Sequence, residues 1–180
     1  MIKMSRPSPN PTPSPSISPS RLRDTAPKLW WEDFAPGETI VTGAITVTES
    51  HVVSWAALTG DWVPLHVDEE YASRTQFGGR IAHGPLTYAL ALGLMTQTHA
   101  YDNVVAWLGT DNLRAVAPVM LGDTVRATGT VVTYRETSRD DRGVVGLGFD
   151  VTNQDGVTVM TFENTVLMPR RPAGAEESEG

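Results

Sequence analysis

Gly84-Pro-Leu-Thr-Tyr-Ala-Leu-Ala-Leu-Gly-Leu-Met-Thr-Gln-Thr98 is the stretch on which the fold turns. It reads as a helix that is apolar almost all round, through Leu86, Tyr88, Ala89, Leu90, Ala91, Leu92, Leu94 and Met95. A helix without a polar stripe is normally a buried one. At about 1.5 Å per residue it is roughly 22 Å long, enough to cross a whole sheet.

Beyond this helix the chain is strand-like. Val104–Leu108, Asp111–Ala117, Thr124–Arg135, Gly143–Thr152 and Thr158–Met168 are separated by turn residues at Gly122-Asp123, Arg142-Gly143 and Asp155-Gly156. Asp-Gly between two β-rich runs is a strong hairpin signal. Before the helix, Leu29-Trp-Trp-Glu-Asp-Phe34 opens the folded body and Pro36-Gly37 makes a turn. Thr39–Val47 is β-branched and strand-like, and Thr48-Glu49-Ser50 offers capping chemistry to a helix over Val52–Leu58. That helix ends at Thr59-Gly60-Asp61. A short helix over Val67–Tyr71 then carries its acids in the first turn, where the helix dipole favours them. Strand, buried helix and then a run of strands is an α+β pattern: one antiparallel sheet wrapped around one helix.

The flanks differ from this body. Residues 1–28 repeat Pro-Ser and Pro-Thr pairs and cannot bury enough apolar area to offset ordering entropy, so a disordered extension is expected there. Residues 170–180 end in small and acidic residues and are expected to behave likewise, which leaves a single domain over 29–169.

Composition removes several functions. The 180-residue chain has no cysteine, which excludes disulfides, thiolate metal sites and cysteine nucleophiles. Its net charge is −7, and between Leu29 and Pro169 there is no lysine and only seven arginines. Such an acidic body repels phosphate backbones and argues against nucleic acid as a partner. The most apolar stretch, Leu86 to Met95, is far short of the roughly 20 residues that a bilayer needs. Met1–Asn10 lacks the apolar core of a secretory signal, so a cytoplasmic protein with no membrane partner is expected. The spacing of His51, His66, His83 and His99 suggests no metal site, and no cofactor is expected.

Chemistry concentrates in Leu58-Thr-Gly-Asp-Trp-Val-Pro-Leu-His-Val-Asp68. Asp61 and His66 sit five residues apart, in a stretch that Gly60 and Pro64 are expected to keep from regular helix. Adding water to a polarised double bond needs a base for the water proton and an acid for the α-carbon, and a carboxylate beside an imidazole can divide those tasks. From the pair alone, a turn-capping Asp61 and a packed His66 are the favoured reading. Eighteen residues past His66, Gly84 opens the apolar helix. Its backbone N–H, at a helix N-terminus, suits an enolate oxygen forming on a thioester carbonyl. Close packing or a tight turn is the alternative account of that glycine.

Taken together, Trp31-Glu-Asp-Phe with Gly37, the 58–71 window, Phe77-Gly-Gly-Arg-Ile-Ala-His-Gly84 and Leu113-Arg-Ala-Val-Ala-Pro-Val-Met-Leu-Gly-Asp-Thr124 resemble the MaoC-like hydratase family across nearly all of Leu29–Met168. The resemblance implies a hot-dog fold, with the Gly84–Thr98 helix inside a curled sheet, and a homodimer or an oligomer of dimers. It also implies (R)-specific hydration of trans-2-enoyl thioesters, or the reverse dehydration, on coenzyme A or an acyl carrier protein. Asp61 and His66 fall on the family's catalytic pair and Gly84 on its carbonyl-binding amide. In that scheme the carboxylate acts chiefly as base and the imidazole helps donate to the α-carbon.

Two positions depart from the family pattern. Val63 stands where an asparagine is usual, and Leu92 where some relatives carry serine. Around the pair, Trp62, Val63 and Tyr88 are expected to shape an acyl pocket and His83 to order the turn before the helix. Arg80 and Arg114 are candidates to meet pantetheine phosphates, with solvent-facing or sheet-pairing roles the more usual reading, and His51 and His99 are expected to make surface or partner contacts. The competing readings are a hot-dog thioesterase and a hydratase-like subunit that binds without catalysing. The Asp-x-x-x-x-His pattern suits water addition better than acyl hydrolysis.

Overall fold

A computed structural model describes residues 29–172; the extensions expected over 1–28 and 173–180 lie outside the described residues. The chain runs β1 (Thr39–Thr46), α1 (Glu49–Thr59), α2 (Pro64–Val67), α3 (Glu69–Ala72), α4 (Gly84–Thr96), β2 (Ala106–Ala115), β3 (Thr124–Glu136), β4 (Arg142–Thr152) and β5 (Thr158–Pro169). The strands form one antiparallel sheet in the order β1-β3-β4-β5-β2.

Period-2 alternation builds the inner face of this sheet. In β5, buried and half-buried residues alternate from Met160 to Pro169, and β3 buries Val125, Ala127, Gly129 and Val131. Phe149 of β4 and Phe162 of β5 stand opposite each other in register with rings stacked at 4.4 Å, and Met95 of α4 is fully buried beside them in the same core. The turn expected at Asp155-Gly156 is present. Gly156 is left-handed (φ 76°), and the Asn153 side chain accepts from the Asp155 and Val157 amides.

α4 is slightly shorter than expected, ending at Thr96, and only one side of it is covered. Leu86, Thr87, Ala91, Leu94 and Met95 are buried, while Tyr88, Ala89, Leu90 and Leu92 stay half-exposed and Gly93 is exposed. The apolar run therefore marks a helix with more to bury than one sheet covers. The two runs expected at 104–108 and 111–117 are a single strand, β2, interrupted by two register shifts against β5. The second shift carries Asn112 with φ 55°, a conformation that asparagine tolerates better than most residues.

Two devices close the ends. α1 is capped by His51, whose Nδ1 accepts from the Thr48 amide at 3.0 Å, the place a glutamate takes in a standard capping box. His51 thus has a local role at the surface, one of the two roles expected for it, and His99 likewise pairs with Asp102 at 2.8 Å. At the other end, Trp31 stacks on Tyr134 with ring centroids 4.2 Å apart, and the Arg170 guanidinium lies over the indole at 4.4 Å. Arg170 also pairs with Glu136 and Arg171 with Asp33, so the chain is tied down past residue 169, the expected end of the domain.

The indole reaches the β4 backbone through Nε1–H to the Val144 carbonyl, directly over Gly143. A Cβ at Gly143 falls inside contact distance of the Trp31 ring. Gly143→Ala is therefore expected to force the indole off the sheet, with a loss of about 1–3 kcal/mol. Thermal unfolding by circular dichroism checks this, with Tm expected to fall by roughly 3–10 °C.

Candidate active site

The site begins where α1 stops. Gly60 is left-handed (φ 79°) and donates its N–H to the Ala56 carbonyl at 2.8 Å, a glycine C-cap that turns the chain away from the helix. Asp61 comes next, half-buried, with its amide donating to Thr59 Oγ1. Pro64 does not break the segment as the sequence suggested. It sits at the first position of α2, where its missing N–H leaves nothing unsatisfied, and the short helical turn it opens presents His66.

The His66 ring is held from one side. Its Nδ1 lies 2.8 Å from the Ile81 carbonyl, which can only accept, so Nδ1 carries the proton. In the neutral ring the lone pair is then on Nε2. The Ile81 amide returns a bond to the Leu65 carbonyl, so the residues before α4 are zipped against α2. His83, fully buried, lies against the same ring with centroids 3.8 Å apart and planes tilted by 31°. Its Nε2–H donates to the Asp61 carbonyl at 3.0 Å, while its Nδ1 is buried without a hydrogen-bond partner among the described residues.

A cavity of about 300 Å³ opens beside these groups. His66 and Gly84 lie on its wall, with Phe77, Ile81, Val119 and Met160 supplying apolar surface. Gly84 is the first residue of α4, whose N-terminal amides have no intrahelical acceptor. Among the described residues, none beyond its chain neighbours lies within 4 Å of where a Cβ at Gly84 would stand, so close packing does not account for the glycine, although Pro85 disfavours a side chain on the helical residue before it.

Other expected substrate residues are placed elsewhere. Trp62 and Val63 are 53% and 50% exposed and do not line this cavity. Tyr88 packs edge-on to Phe162 and bonds through its hydroxyl to Thr110, which itself donates to the buried Asn164; this leaves Tyr88 the donor to Thr110. Arg80 is not free for a phosphate. Its guanidinium bonds Glu49 through both terminal nitrogens and Glu69 through Nε, fastening α1 and α3 to the segment before α4. The hydrogen bonds from Arg80 hold the Glu49 carboxyl below its ordinary range. Arg114 is exposed and donates to the Leu113 carbonyl.

The wall from Ala115 to Val119 lies in the Leu113–Thr124 motif but was not assigned to a pocket by sequence, and the β5 residues Val159 and Met160 were not singled out at all. Pro118 was the available signal, since a proline cannot donate to the ladder; past it the chain leaves Val159 and accepts from the Ala82 amide through the Val119 carbonyl. Asp61, His66 and His83 also offer donor atoms within 4.8 Å of one another, an arrangement that histidine spacing did not suggest. Bonds of about 2.1 Å to a tetrahedral zinc ion place ligand atoms roughly 3.4 Å apart, so this trio fits a metal only after drawing together.

A curled antiparallel sheet around a central helix is a hot-dog domain, and here a carboxylate and two imidazoles gather near the N-terminus of that helix. The fold matches a Mycobacterium tuberculosis protein described as having a double hotdog fold, at TM-score 0.72 and 21% identity, over 83% of this chain and 47% of that one. Residues 33–153 match the MaoC like domain, and the chain belongs to the MaoC-like dehydratase family. It is 31% identical over 151 residues to an (R)-specific enoyl-CoA hydratase of Rhodospirillum rubrum, covering 79% of this chain and 93% of that relative. The structure of a MaoC-like dehydratase from the same organism superposes with TM-score 0.69 at 28% identity, over 80% of this chain and 99% of that one. Protein MaoC of Klebsiella aerogenes is 35% identical over 97 residues; the match spans 54% of this chain and 29% of that longer protein. No described helix is long and apolar enough to cross a membrane.

Proposed function

We propose that this chain adds water to, or removes it from, the 2,3 double bond of an acyl thioester carried on coenzyme A or a carrier protein. The observation that carries the reading is the fixed His66 ring: Ile81 holds Nδ1, which leaves Nε2 as the nitrogen available for proton exchange beside a largely apolar cavity. In hydration, the Asp61 carboxylate takes a proton from water as the hydroxide oxygen bonds to C3. The Gly84 amide stabilises the enolate oxygen, and protonated His66 delivers the Nε2 proton to C2. The net transfer of one proton from His66 to Asp61 is reversed between turnovers through solvent, and dehydration runs the same steps backwards. An apolar cavity of this size suits a short or medium acyl chain. The Rhodospirillum rubrum relative's name supports the (R) stereochemistry. Val63 stands half-exposed at the N-cap of α2, outside the cavity, so its apolar side chain leaves the cavity intact.

The test is loss of the conjugated-thioester absorbance when purified protein meets a series of trans-2-enoyl-CoAs. Turnover with a 3-(R)-hydroxy product supports the reading. Release of free thiol points to the thioesterase alternative, and inertness across the series points to a binding subunit.

The active unit in this reading is a homodimer. β2 is an edge strand; Trp107 and Leu108 on it and Val116 just past its end are about half exposed or more, and the uncovered side of α4 is apolar. An apolar edge strand left open is an aggregation hazard unless a second copy covers it. Leu108→Glu is expected to shift the protein from twice the chain mass to the chain mass in sedimentation equilibrium.

A further inference from the structure

His83 touches both partners of the acid–base pair by different means. Its Nε2–H holds the Asp61 carbonyl at 3.0 Å, and its ring lies against the His66 ring with centroids 3.8 Å apart. It is also the N-cap residue of α4, so its backbone leads directly into the Gly84 amide. The side chain is fully buried, and Nδ1 has no partner among the described residues. A buried acceptor left unsatisfied is costly, and a phenyl ring of similar shape would avoid that cost. Packing alone therefore does not explain a histidine here. What the histidine supplies, and a phenyl ring does not, is the donor to Asp61.

The loop that carries Asp61 needs such a tether. Asp61 has only the long bond from its amide to Thr59 Oγ1 on one side, and Trp62 and Val63 beyond it are half-exposed. His66, by contrast, is already fixed by Ile81. The hydrogen bond from His83 thus acts on the less constrained member of the pair and sets the position of its carboxylate relative to His66.

From this geometry we infer that His83 is a positioning residue, not a catalytic one: it fixes the Asp61 backbone against His66 through Nε2–H and accepts an unsatisfied Nδ1 in exchange. The inference rests on the hydratase reading above for its effect on turnover, but its structural half stands independently of that reading.

The experiment compares His83→Phe, which keeps a buried ring and removes the donor, with His83→Gln, whose amide places an N–H near the position of Nε2. For His83→Phe, kcat is expected to fall about 10- to 100-fold, as a misplacement of about 1 Å in a catalytic group produces, with KM near the wild-type value. Its Tm should equal or exceed that of wild type, and His83→Gln should recover most of the lost turnover. Backbone ¹⁵N order parameters supply a readout without substrate. The Asp61 and Trp62 amides should be rigid in wild type and His83→Gln, at about 0.85, and fall toward roughly 0.6 in His83→Phe.

Wild-type order and turnover in His83→Phe overturn the inference, as does a His83→Gln variant as disordered and slow as His83→Phe. If wild type turns over no enoyl thioester, the hydratase reading fails and the order parameters alone decide the tether. Should His83→Phe not fold, His83→Leu against His83→Gln carries the same comparison.

Discussion

Asp61→Asn and His66→Ala are each expected to lower kcat for enoyl-CoA hydration by about 10²–10⁴-fold, the range that positioned acid–base groups contribute. The two should differ in character. Asparagine at 61 is nearly isosteric and leaves the Asp61 carbonyl to accept from His83, so the loop keeps its course and only the carboxylate's basicity is lost. Alanine at 66 removes both the Nε2 atom and the Nδ1–H bond to Ile81, so some loosening between α2 and the segment before α4 accompanies the catalytic loss. The double variant should be little worse than either single one, because groups that act as a unit are strongly non-additive. Stopped-flow absorbance with the purified variants, beside their melting curves, checks all three expectations.

The second large effect concerns an atom with no side chain. His83 has φ −60° and ψ 137°, an extended conformation that a following proline requires, and position 84 is the first of the helix, where proline is tolerated. Pro85 disfavours helical dihedrals at the residue before it, so Gly84→Pro is expected to cost some stability while deleting the one N–H assigned to the thioester oxygen. Losing an oxyanion donor lowers kcat by about 10²–10³-fold. Gly84→Ala is the control for bulk. It keeps the N–H, its methyl meets nothing within 4 Å among the described residues beyond its chain neighbours, and it shares the local cost of a side chain before Pro85, so the two variants differ mainly in the N–H. If both variants lose activity equally, the cavity at Gly84 is needed for space and the amide is not the decisive group. Steady-state kinetics and melting temperatures of the pair separate these outcomes.

The range of each interaction decides how much of this was legible in the sequence. The hairpins of β3, β4 and β5 were readable because alternation and the Asp155-Gly156 turn are local signals, and the central helix because its composition is extreme. Its half-open side was not, since a residue's apolar character says that it seeks cover and not which chain supplies it. Asp61, His66 and Gly84 could be proposed from type, spacing and the family resemblance, and the structure places His66 and Gly84 on one cavity. The means that hold them could not, because Ile81 fixes His66 through a carbonyl that every residue possesses. Arg80 shows the same limit from the other direction. A lone arginine before a helix N-terminus reads as a phosphate ligand until the fold brings Glu49, 31 residues away, onto its guanidinium. The cavity walls combine residues from 66 to 160, so no window of the chain displayed them together. Trp62 was taken for a pocket residue by proximity to Asp61, and the turn into α2 leaves it half-exposed outside the cavity.

The most direct test of the central claim is the reaction itself run in D₂O, with crotonyl-CoA and the product followed by mass spectrometry and NMR. The account expects a 3-hydroxybutyryl thioester carrying one non-exchanging deuterium at C2, formed by wild type and not by Asp61→Asn. Recovery of unchanged crotonyl-CoA from wild type, or of free coenzyme A in place of the hydroxy thioester, would contradict it.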